Sequence, residues 1–484
     1  MGSDAASSEL PSTTSVPATG RQRERLSRGI LGLADITAST MANIGPAMSF
    51  FFGFALLAST AGVASPLTIV AAAIAVALLG NTLAEFSRSI PSTGSFITFV
   101  GRAFGPIMAL TMAIVVSAGY IIAVASVVGI SGGWTSIIIA HYFHAHIAWQ
   151  WLTVLLTLVA LGLCVKGVSI STKWAGALFA FEIGLLLVVS VWVLIKQSGH
   201  LTLAPFEPSH LSGGFKGLGL GFPLAVYLFV GWENSAALAE ETAEPRKAVP
   251  KAIYLSVAAM AASYILFSYV TVVGFRYDTK ALGDAAVPFV SVAQGVLGGA
   301  AILAYIAAFT SIMGSLIAAA NSQARLIFNS GREGLLPAVL GRVTPRSRTP
   351  WVSLIVYLVI ALGLALGWGW KLDPIAFFGD AATLGTILII VTWLVANLAL
   401  PVYYRRNHPD LFHPVRHLLL PLLGVAAIGF PLYELVKPGQ PKPFNIFPWI
   451  SLAIIVVAVV YALVLNARDR TLADRVGSIV ADVD

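Results

Sequence analysis

The chain has 484 residues, of which 57% are apolar and only 11% are charged. Soluble globular domains carry about 25% charged residues, so this composition excludes an ordinary soluble domain and indicates a polytopic membrane protein. The net charge of +7 is explained by where the cations lie along the chain and does not indicate a nucleic-acid partner.

Twelve segments of the chain are long and apolar enough to cross a bilayer. About 20 apolar residues in a helix cross roughly 30 Å of hydrocarbon, so the sequence predicts an all-α protein with twelve transmembrane helices. The segments lie at about 32–59, 66–87, 105–132, 149–166, 174–196, 217–239, 251–274, 299–328, 350–369, 374–403, 415–436 and 446–467.

The basic residues are distributed unevenly between the loops. With the N-terminus inside, 22 of the 29 Lys and Arg residues lie in cytoplasmic segments, as the positive-inside rule requires. We therefore expect a multi-pass protein of the plasma (cytoplasmic) membrane, surrounded by the lipid bilayer, with both termini cytoplasmic. Residues 1–27 are expected to form a disordered tail rather than a cleavable signal peptide, and residues 471–484 a second cytoplasmic tail.

The predicted helices divide into two sets of five and a final pair. Because five is an odd number, the second set crosses the membrane in the opposite sense to the first, which is the arrangement of an inverted repeat. We assign the first repeat to residues 28–200, the second to 201–406 and the last two helices to 407–470.

The first helix of each repeat is interrupted by small and polar residues. The first interruption lies within 37–49, around Gly45 and Pro46, and the second within 229–235. Backbone groups freed by a break cannot be hydrated by lipid, so paired breaks predict a substrate cavity near the bilayer midplane. Amides at a half-helix N-terminus attract a carboxylate, and carbonyls at a C-terminus attract an ammonium group. The alternative is that Gly45 and Pro46 merely kink a structural helix.

Residues at the breaks and on two neighbouring helices form the predicted binding set. Ser117 and Tyr120 share one face of the third helix, and Ser311 and Ser315 share one face of the eighth. The predicted substrate-binding residues are Ala42, Asn43, Ile44, Gly45, Ser117, Tyr120, Phe229, Val230, Gly231, Trp232 and Ser311. Small and hydroxyl residues also serve helix packing, which is the alternative role of each. The bulk of Trp232 favours a small substrate.

Two carboxyl groups lie within the predicted helices. Glu182 is in the middle of the fifth helix, and Glu233 is inside the second break. An uncompensated charge at the bilayer centre costs at least about 2.5–3.5 kcal/mol, so both are candidates for proton coupling. Glu182 could instead be permanently protonated and support helix packing. Glu233 could bind a substrate ammonium group, sense pH or cap the half-helix that follows it.

The remaining polar residues are weaker evidence for a functional site. His141, His144 and His146 are typical of a membrane interface, and we assign no metal to them. A single cysteine excludes an intrachain disulfide and a cysteine-built metal site. Asp35 and Asn321 are expected near a cytoplasmic gate. The loop after the sixth helix is expected to form a cytoplasmic salt-bridge cluster that steadies the inner gate, the alternative being a solvated run of charges; its residues are Glu240, Glu241, Glu244, Arg246 and Lys247.

Three segments resemble signature motifs of the amino acid, polyamine and organocation (APC) superfamily. They are residues 239–253, with an acidic pair followed by basic residues and Pro250, residues 324–337, and residues 85–95. The similarity runs from about residue 28 to 470. It implies the leucine-transporter fold, in which the first and sixth helices are broken.

The resemblance also implies roles for individual residues. The family binds an amino acid carboxylate on backbone amides of the first broken helix. Tyr227 is similar to the family's aromatic gate, and Glu233 to a glutamate beside the substrate pocket. Glu182 falls where several proton-coupled members carry a lysine in the place of a sodium ion.

We therefore expect a secondary active transporter, not an enzyme, that imports an amino acid by alternating access in symport with protons and needs no cofactor. A small amine or polyamine importer and an amino acid or amine exchanger are the alternatives within transport. A membrane sensor that binds substrate without moving it would have the same sequence. The oligomeric state is left open.

Overall fold

A computed structural model describes residues 25–212, 214–469 and 471–481, and these residues fold almost entirely as helices. The first part of the chain contains α1 (Leu33–Ile44), α2 (Pro46–Ala61), α3 (Ser65–Ser89), α4 (Ser95–Phe104), α5 (Pro106–Phe143), α6 (Trp149–Val165) and α7 (Val168–Lys196). The central part contains α8 (Phe215–Tyr227), α9 (Asn234–Ala237), α10 (Pro245–Gly274), α11 (Thr279–Asp284), α12 (Pro288–Leu297), α13 (Ile302–Glu333), α14 (Trp351–Gly367) and α15 (Pro374–Asn407). The last part contains a π-helical turn (Val415–Leu419), α16 (Leu420–Val436), α17 (Phe447–Arg468) and α18 (Leu472–Arg475).

Within the described residues, eight helical stretches are long and apolar enough to cross a membrane. One of them, Leu33–Ser89, has 57 residues and runs through α1, α2 and α3. At 1.5 Å per residue it would measure about 85 Å as a straight helix, far more than the roughly 30 Å of hydrocarbon. The apolar helices α6 and α14 are shorter, with 17 residues each. The predicted all-α, polytopic membrane protein is confirmed, and the count of twelve spans stays a prediction.

The burial of the helices separates a core from a lipid-facing rim. In α5 and α15, 72% of the most apolar stretch is buried, against 17% in the stretch that contains α17. Large apolar side chains are exposed on the rim, among them Trp151, Leu158 and Val457. An apolar surface of this extent requires a bilayer around it.

The first interruption separates α1 from α2 at Gly45. Gly45 has φ +63°, a left-handed conformation that glycine adopts without strain, and its N–H donates to the Met41 carbonyl at 3.2 Å. Pro46 then opens α2, where its missing N–H is tolerated and its fixed φ suits a helix start. Gly-Pro thus ends one helix and begins the next at the position predicted from the sequence.

The second interruption lies between α8 and α9. α8 ends at Tyr227, and irregular turns lead through Gly231, with φ +107°, to the four-residue helix α9. The two interruptions are in direct contact, because Asn43 Nδ2 donates to the Gly231 carbonyl at 3.3 Å. A Cβ added to Gly231 would lie only 3.1 Å from the Asn43 carbonyl carbon and 3.1 Å from the Ile44 nitrogen. Only a glycine allows the two backbones to approach this closely.

The predicted tails are partly described. Residues 1–24 of the N-terminal tail lie outside the described residues. At the end of that predicted tail, Leu26 is buried and its N–H donates to Glu240 Oε1 at 2.9 Å. In the C-terminal tail, the Ala481 N–H donates to the Pro91 carbonyl at 2.8 Å. Leu26 and Ala481 therefore lie on the same side of the bundle, near the loop after α3 and the segment after α9.

Candidate substrate site

A small cavity lies between the two interruptions. Its volume is about 50 Å³, and a single water molecule needs roughly 10–15 Å³ by the same measure, so the cavity has room for a few water molecules. The lining residues come from α1, α2, α5, α8, α13 and α14 and the second break; they are Asn43, Ile44, Met48, Ser49, Tyr120, Ala123, Val124, Val127, Tyr227, Val230, Gly231, Ser315, Ala319, Gln323 and Tyr357. None of these residues carries an ionisable acid or base other than a tyrosine hydroxyl, and most of the side chains are apolar or aromatic.

Two backbone amides at the N-terminus of α2 make no helical hydrogen bond, and both donate to side chains instead. Pro46 has no N–H, and the Ser49 N–H makes the first helical bond, to the Gly45 carbonyl at 2.8 Å. The Ala47 N–H donates to Glu182 Oε2 at 3.3 Å. The Met48 N–H donates to Ser311 Oγ at 3.0 Å. Residues from α7 and α13 therefore occupy the amides at the first break.

The carbonyl groups at the end of α1 are bonded as well. The Asn43 carbonyl accepts from Ser315 Oγ at 2.8 Å, and the Ile44 carbonyl accepts from Ser49 Oγ at 2.6 Å. Hydroxyl groups of α13 and α2 thus stabilise a break that lipid could not hydrate. Hydroxyls can also rotate away from these carbonyls when another donor arrives.

Glu233 is buried behind the cavity wall. Its Oε1 accepts from the Tyr120 hydroxyl at 2.5 Å, and its Oε2 accepts from the Gly231 N–H at 3.2 Å. The side chain makes no capping bond to α9. The carboxyl group therefore connects the second break to α5, and the Tyr357 hydroxyl extends this connection by donating to the Tyr120 carbonyl at 3.2 Å.

Tyr227 lies between the cavity and a second apolar cavity of about 50 Å³. Its ring packs edge-on against Phe378 with centroids 6.1 Å apart. Phe52, Leu56, Pro223 and Phe378 are among the residues that line the second cavity. Tyr227 is therefore part of the wall of both cavities.

Six of the predicted residues line the cavity: Asn43, Ile44, Tyr120, Tyr227, Val230 and Gly231. The others lie around it. Trp232 packs on Trp393 with centroids 5.7 Å apart, and Phe229 packs edge-on against Tyr264 at 5.3 Å. Ala42, Gly45, Ser117 and Ser311 are in the surrounding shell, and Ser311 reaches the first break through the Met48 N–H. Trp232 therefore does not narrow the cavity in this conformation.

Several lining residues were not in the predicted set. Ala123, Val124 and Val127 lie three, four and seven residues after Tyr120 on α5. Ala319 and Gln323 continue the spacing of four that begins at Ser315 on α13. Helical periodicity from the predicted residues would have found both rows. Tyr357 on α14 has no such signal.

An ionic cluster closes the bundle on the side where Leu26 and Ala481 lie. We use this name for Glu240, Glu241, Arg325 and Arg332. The Arg325 guanidinium bonds both oxygens of Glu241, one of them at 3.1 Å, and the Arg332 guanidinium bonds both oxygens of Glu240, at 3.1 and 2.7 Å. All four side chains are at most 4% exposed.

One ion pair of the predicted charged cluster, Glu244 with Lys247, is confirmed, whereas Glu240 and Glu241 have basic partners outside that cluster. Lys247 pairs with Glu244 at 2.8 Å on the exposed surface, and Arg246 donates to the carbonyls of Arg88 and Ser89. Glu240 and Glu241 turn instead toward α13, which is far away in the sequence but adjacent in the fold. Asp35 makes a local contact, since it accepts from the Gly32 N–H at 2.8 Å, whereas Asn321 on α13 joins α7, because its Nδ2 donates to Ser171 Oγ at 2.8 Å.

His141, His144 and His146 do not assemble into a metal site. Among the described residues, no group of three or more His, Cys, Asp or Glu side chains is placed to hold a metal ion. His141 stacks on Tyr305 with centroids 5.6 Å apart. Cys164 is buried, and its thiol donates to the Ile317 carbonyl at 3.6 Å.

Two broken helices on either side of a buried cavity define the class of a membrane carrier. Comparison with known proteins agrees, because the model of a family described as amino acid permease matches residues 31–469. The chain belongs to this amino acid permease family of the APC superfamily. It is accordingly a transporter and not an enzyme.

The individual relatives differ in the substrates that their names give. The branched-chain amino acid permease of Bacillus subtilis is 25% identical over 82% of this chain and 86% of the relative. The methylthioribose transporter of the same organism is 24% identical over 82% and 86%. The human cystine/glutamate transporter is 24% identical over 90% and 85%. The family is therefore clear from these comparisons, and the substrate has to be argued from the cavity.

Proposed function

We propose that the protein is a secondary active transporter that imports a neutral amino acid across the cytoplasmic membrane in symport with protons. The observation that carries this proposal is the cavity between two interrupted helices, with a buried carboxyl group, Glu182, bonded to the first break. The apolar lining favours a small or branched apolar side chain. The branched-chain amino acid permease among the relatives supports the same class.

The architecture that we propose is twelve spans, with repeats at 28–200 and 201–406 and a final pair at 407–470. In this arrangement α1 with α2 forms the first span, and α8 with α9 forms the sixth. Both termini and the ionic cluster then face the cytoplasm, and the second cavity beside Tyr227 faces the outside. The structure would represent a state closed on both sides, and alternating access would open first one side and then the other.

A small amine or polyamine importer is the second candidate. It is favoured by Glu233, because a buried carboxyl group next to the cavity wall could hold a substrate ammonium group once Tyr120 turns away. Against it, the lining itself has no carboxylate, and the Glu233 oxygens are already bonded. Exchange of an internal for an external amino acid would use the same cavity.

The first prediction concerns uptake by the purified protein in liposomes. We expect labelled valine or leucine to be taken up, and an inward proton gradient to increase the initial rate several-fold, because protons and substrate move together. Glu182→Gln should remove the gradient stimulation, and Glu434→Gln, which alters a carboxyl group on α16 outside the site, should keep it. Uptake of amines alone would support the second candidate. Uptake that needs preloaded substrate and ignores pH would support exchange, and binding without flux would support a sensor.

The second prediction concerns the hydroxyl group of Tyr120. Tyr120→Phe removes one of the two observed hydrogen bonds to Glu233. A typical hydrogen bond contributes about 1 kcal/mol net, so we expect the initial uptake rate to fall about fivefold. Tyr305→Phe is the matched control, since the Tyr305 hydroxyl bonds Gln294 away from the cavity. A Tyr120→Phe variant as active as the wild type would show that the Tyr120–Glu233 bond has no part in transport.

A further inference from the structure

The amide groups at the N-terminus of α2 point to a specific role for Glu182. Ala47 donates directly to the Glu182 carboxyl group, and Met48 donates to Ser311, whose hydroxyl lies beside that same carboxyl group. A serine hydroxyl that accepts from Met48 can donate its own hydrogen to Glu182. Both amides of this half-helix therefore stabilise the Glu182 carboxyl group, Ala47 directly and Met48 through Ser311.

We propose that Glu182 is a tethered carboxylate, which occupies the position of the substrate's carboxylate at α2 and must leave before the substrate can bind. This inference rests on the proposed function, since it assigns how the same site takes an amino acid. The substrate would be a molecule with a free carboxylate that fits beside Met48 on the cavity wall. The helix N-terminus attracts one negative group, and two carboxylates in the same place repel each other.

The surroundings of Glu182 contain few other groups that could balance its charge. Glu182 is 1% exposed, and the titratable side chain that faces it is Tyr264 on α10. The other titratable residues on the helices packed against α7 are Asp35 on α1, Cys164 on α6, Arg246, Lys247, Lys251, Tyr254 and Tyr269 on α10, and Tyr305, Arg325, Arg332 and Glu333 on α13; α2 and α12 have none. The amide and hydroxyl donors at the first break are therefore the groups that stabilise an anionic Glu182.

Protonation of Glu182 allows the α2 amides to exchange the Glu182 carboxyl group for the carboxylate of the substrate. A protonated carboxyl group has no net charge and is held less strongly by the α2 amides. Outside, where the pH is lower, protonation releases Ala47 and Ser311 for the substrate's carboxylate. Inside, where the pH is higher, Glu182 loses its proton, returns to the amides and displaces the substrate. The proton and the amino acid then travel together, one for one.

Binding measurements on the purified protein test this competition. We expect the Kd of labelled leucine for the wild type to increase about tenfold between pH 5.5 and pH 8, a typical coupling between two ligands. Glu182→Gln should bind leucine at pH 8 as tightly as the wild type does at pH 5.5, with little change across this range. Glu434→Gln should behave as the wild type. A Glu182→Gln variant that binds leucine no tighter than the wild type at pH 8 would overturn the proposal.

A second measurement needs no amino acid substrate. Glu182→Ala leaves the two amides without their carboxylate, so we expect 100 mM acetate to raise the melting temperature of this variant by a few degrees, as a ligand of the folded state does. Acetate should leave the wild type unchanged, and methylammonium should leave both unchanged. Absence of the acetate effect would refute the tethered carboxylate. If leucine binds neither the wild type nor a Glu182 variant, the proposed function is refuted. The acetate measurement would still decide the role of Glu182 independently.

Discussion

Gly231→Ala is expected to lower the initial uptake rate about tenfold. At φ +107° a side chain is strained by about 1–3 kcal/mol, and the new Cβ would lie 3.1 Å from two backbone atoms of the first break. Backbone atoms cannot rotate aside as a flexible side chain does. The two breaks must therefore separate by some tenths of an ångström within the site itself; misplacement by about 1 Å can cost a hundredfold in rate, so a shift about half as large is expected to cost about tenfold.

The matched control for this substitution is Gly298→Ala. Gly298 also has a positive φ, +54°, but a Cβ there meets nothing within 4 Å, and the residue lies between α12 and α13 away from the cavity. Both variants should lose some thermal stability, and Gly231→Ala alone should lose uptake. Equal activity in the two variants would mean that the contact between the breaks is not required for transport.

The positions of the breaks were readable from the sequence because local chemistry creates them. Gly45 and Pro46 combine a left-handed residue with one that has no N–H, so a continuous helix cannot pass through them. The second break has only Gly231, and Glu233 made it visible, since a carboxyl group within an apolar segment demands a polar surrounding. The apolar lengths likewise predicted a polytopic helical protein.

Contacts between residues far apart in the sequence could not be predicted from the sequence. Glu241 meets Arg325 across 84 residues and Glu240 meets Arg332 across 92 residues. The sequence favoured the nearby cations after α9 because charge pairing was judged by distance along the chain. Tyr357 joins the cavity wall only because α14 packs on α5. Such contacts depend on tertiary packing, for which a single sequence carries no periodic signal.

The same reason explains why only some of the predicted site residues line the cavity. The sequence placed Asn43, Tyr120 and Tyr227 on its wall, but it could not show that Trp232 turns to Trp393. Nor could it show that Glu182 would meet the amides of α2. A carboxyl group in an apolar segment predicts that it has a hydrogen-bond partner, but only the fold identifies that partner.

The buried pair of Glu241 and Arg325 should dominate the stability of the ionic cluster. The side chains are 1% and 0% exposed, and Arg325 also donates to the Asn321 carbonyl. Removing one member of a buried pair leaves the other charge uncompensated, which typically costs about 3–5 kcal/mol. We expect this loss for Glu241→Gln and for Arg325→Met in thermal unfolding. Glu244→Gln, in an exposed pair, is the control and should change little.

The double variant Glu241→Leu with Arg325→Met should recover most of that stability, because apolar residues of similar volume can replace a buried pair at little cost. It would nevertheless lose the charges that tie the segment after α9 to α13. Cys164 reports on this change, since it is the single cysteine of the chain, is buried, and donates to Ile317 on the same α13. We expect N-ethylmaleimide to react with Cys164 faster in the double variant than in the wild type. A stable double variant with unchanged labelling would mean that the pair supports the fold without holding this side of the bundle closed. Faster labelling would mean that the Glu241–Arg325 pair holds this side closed and must separate when the site opens here.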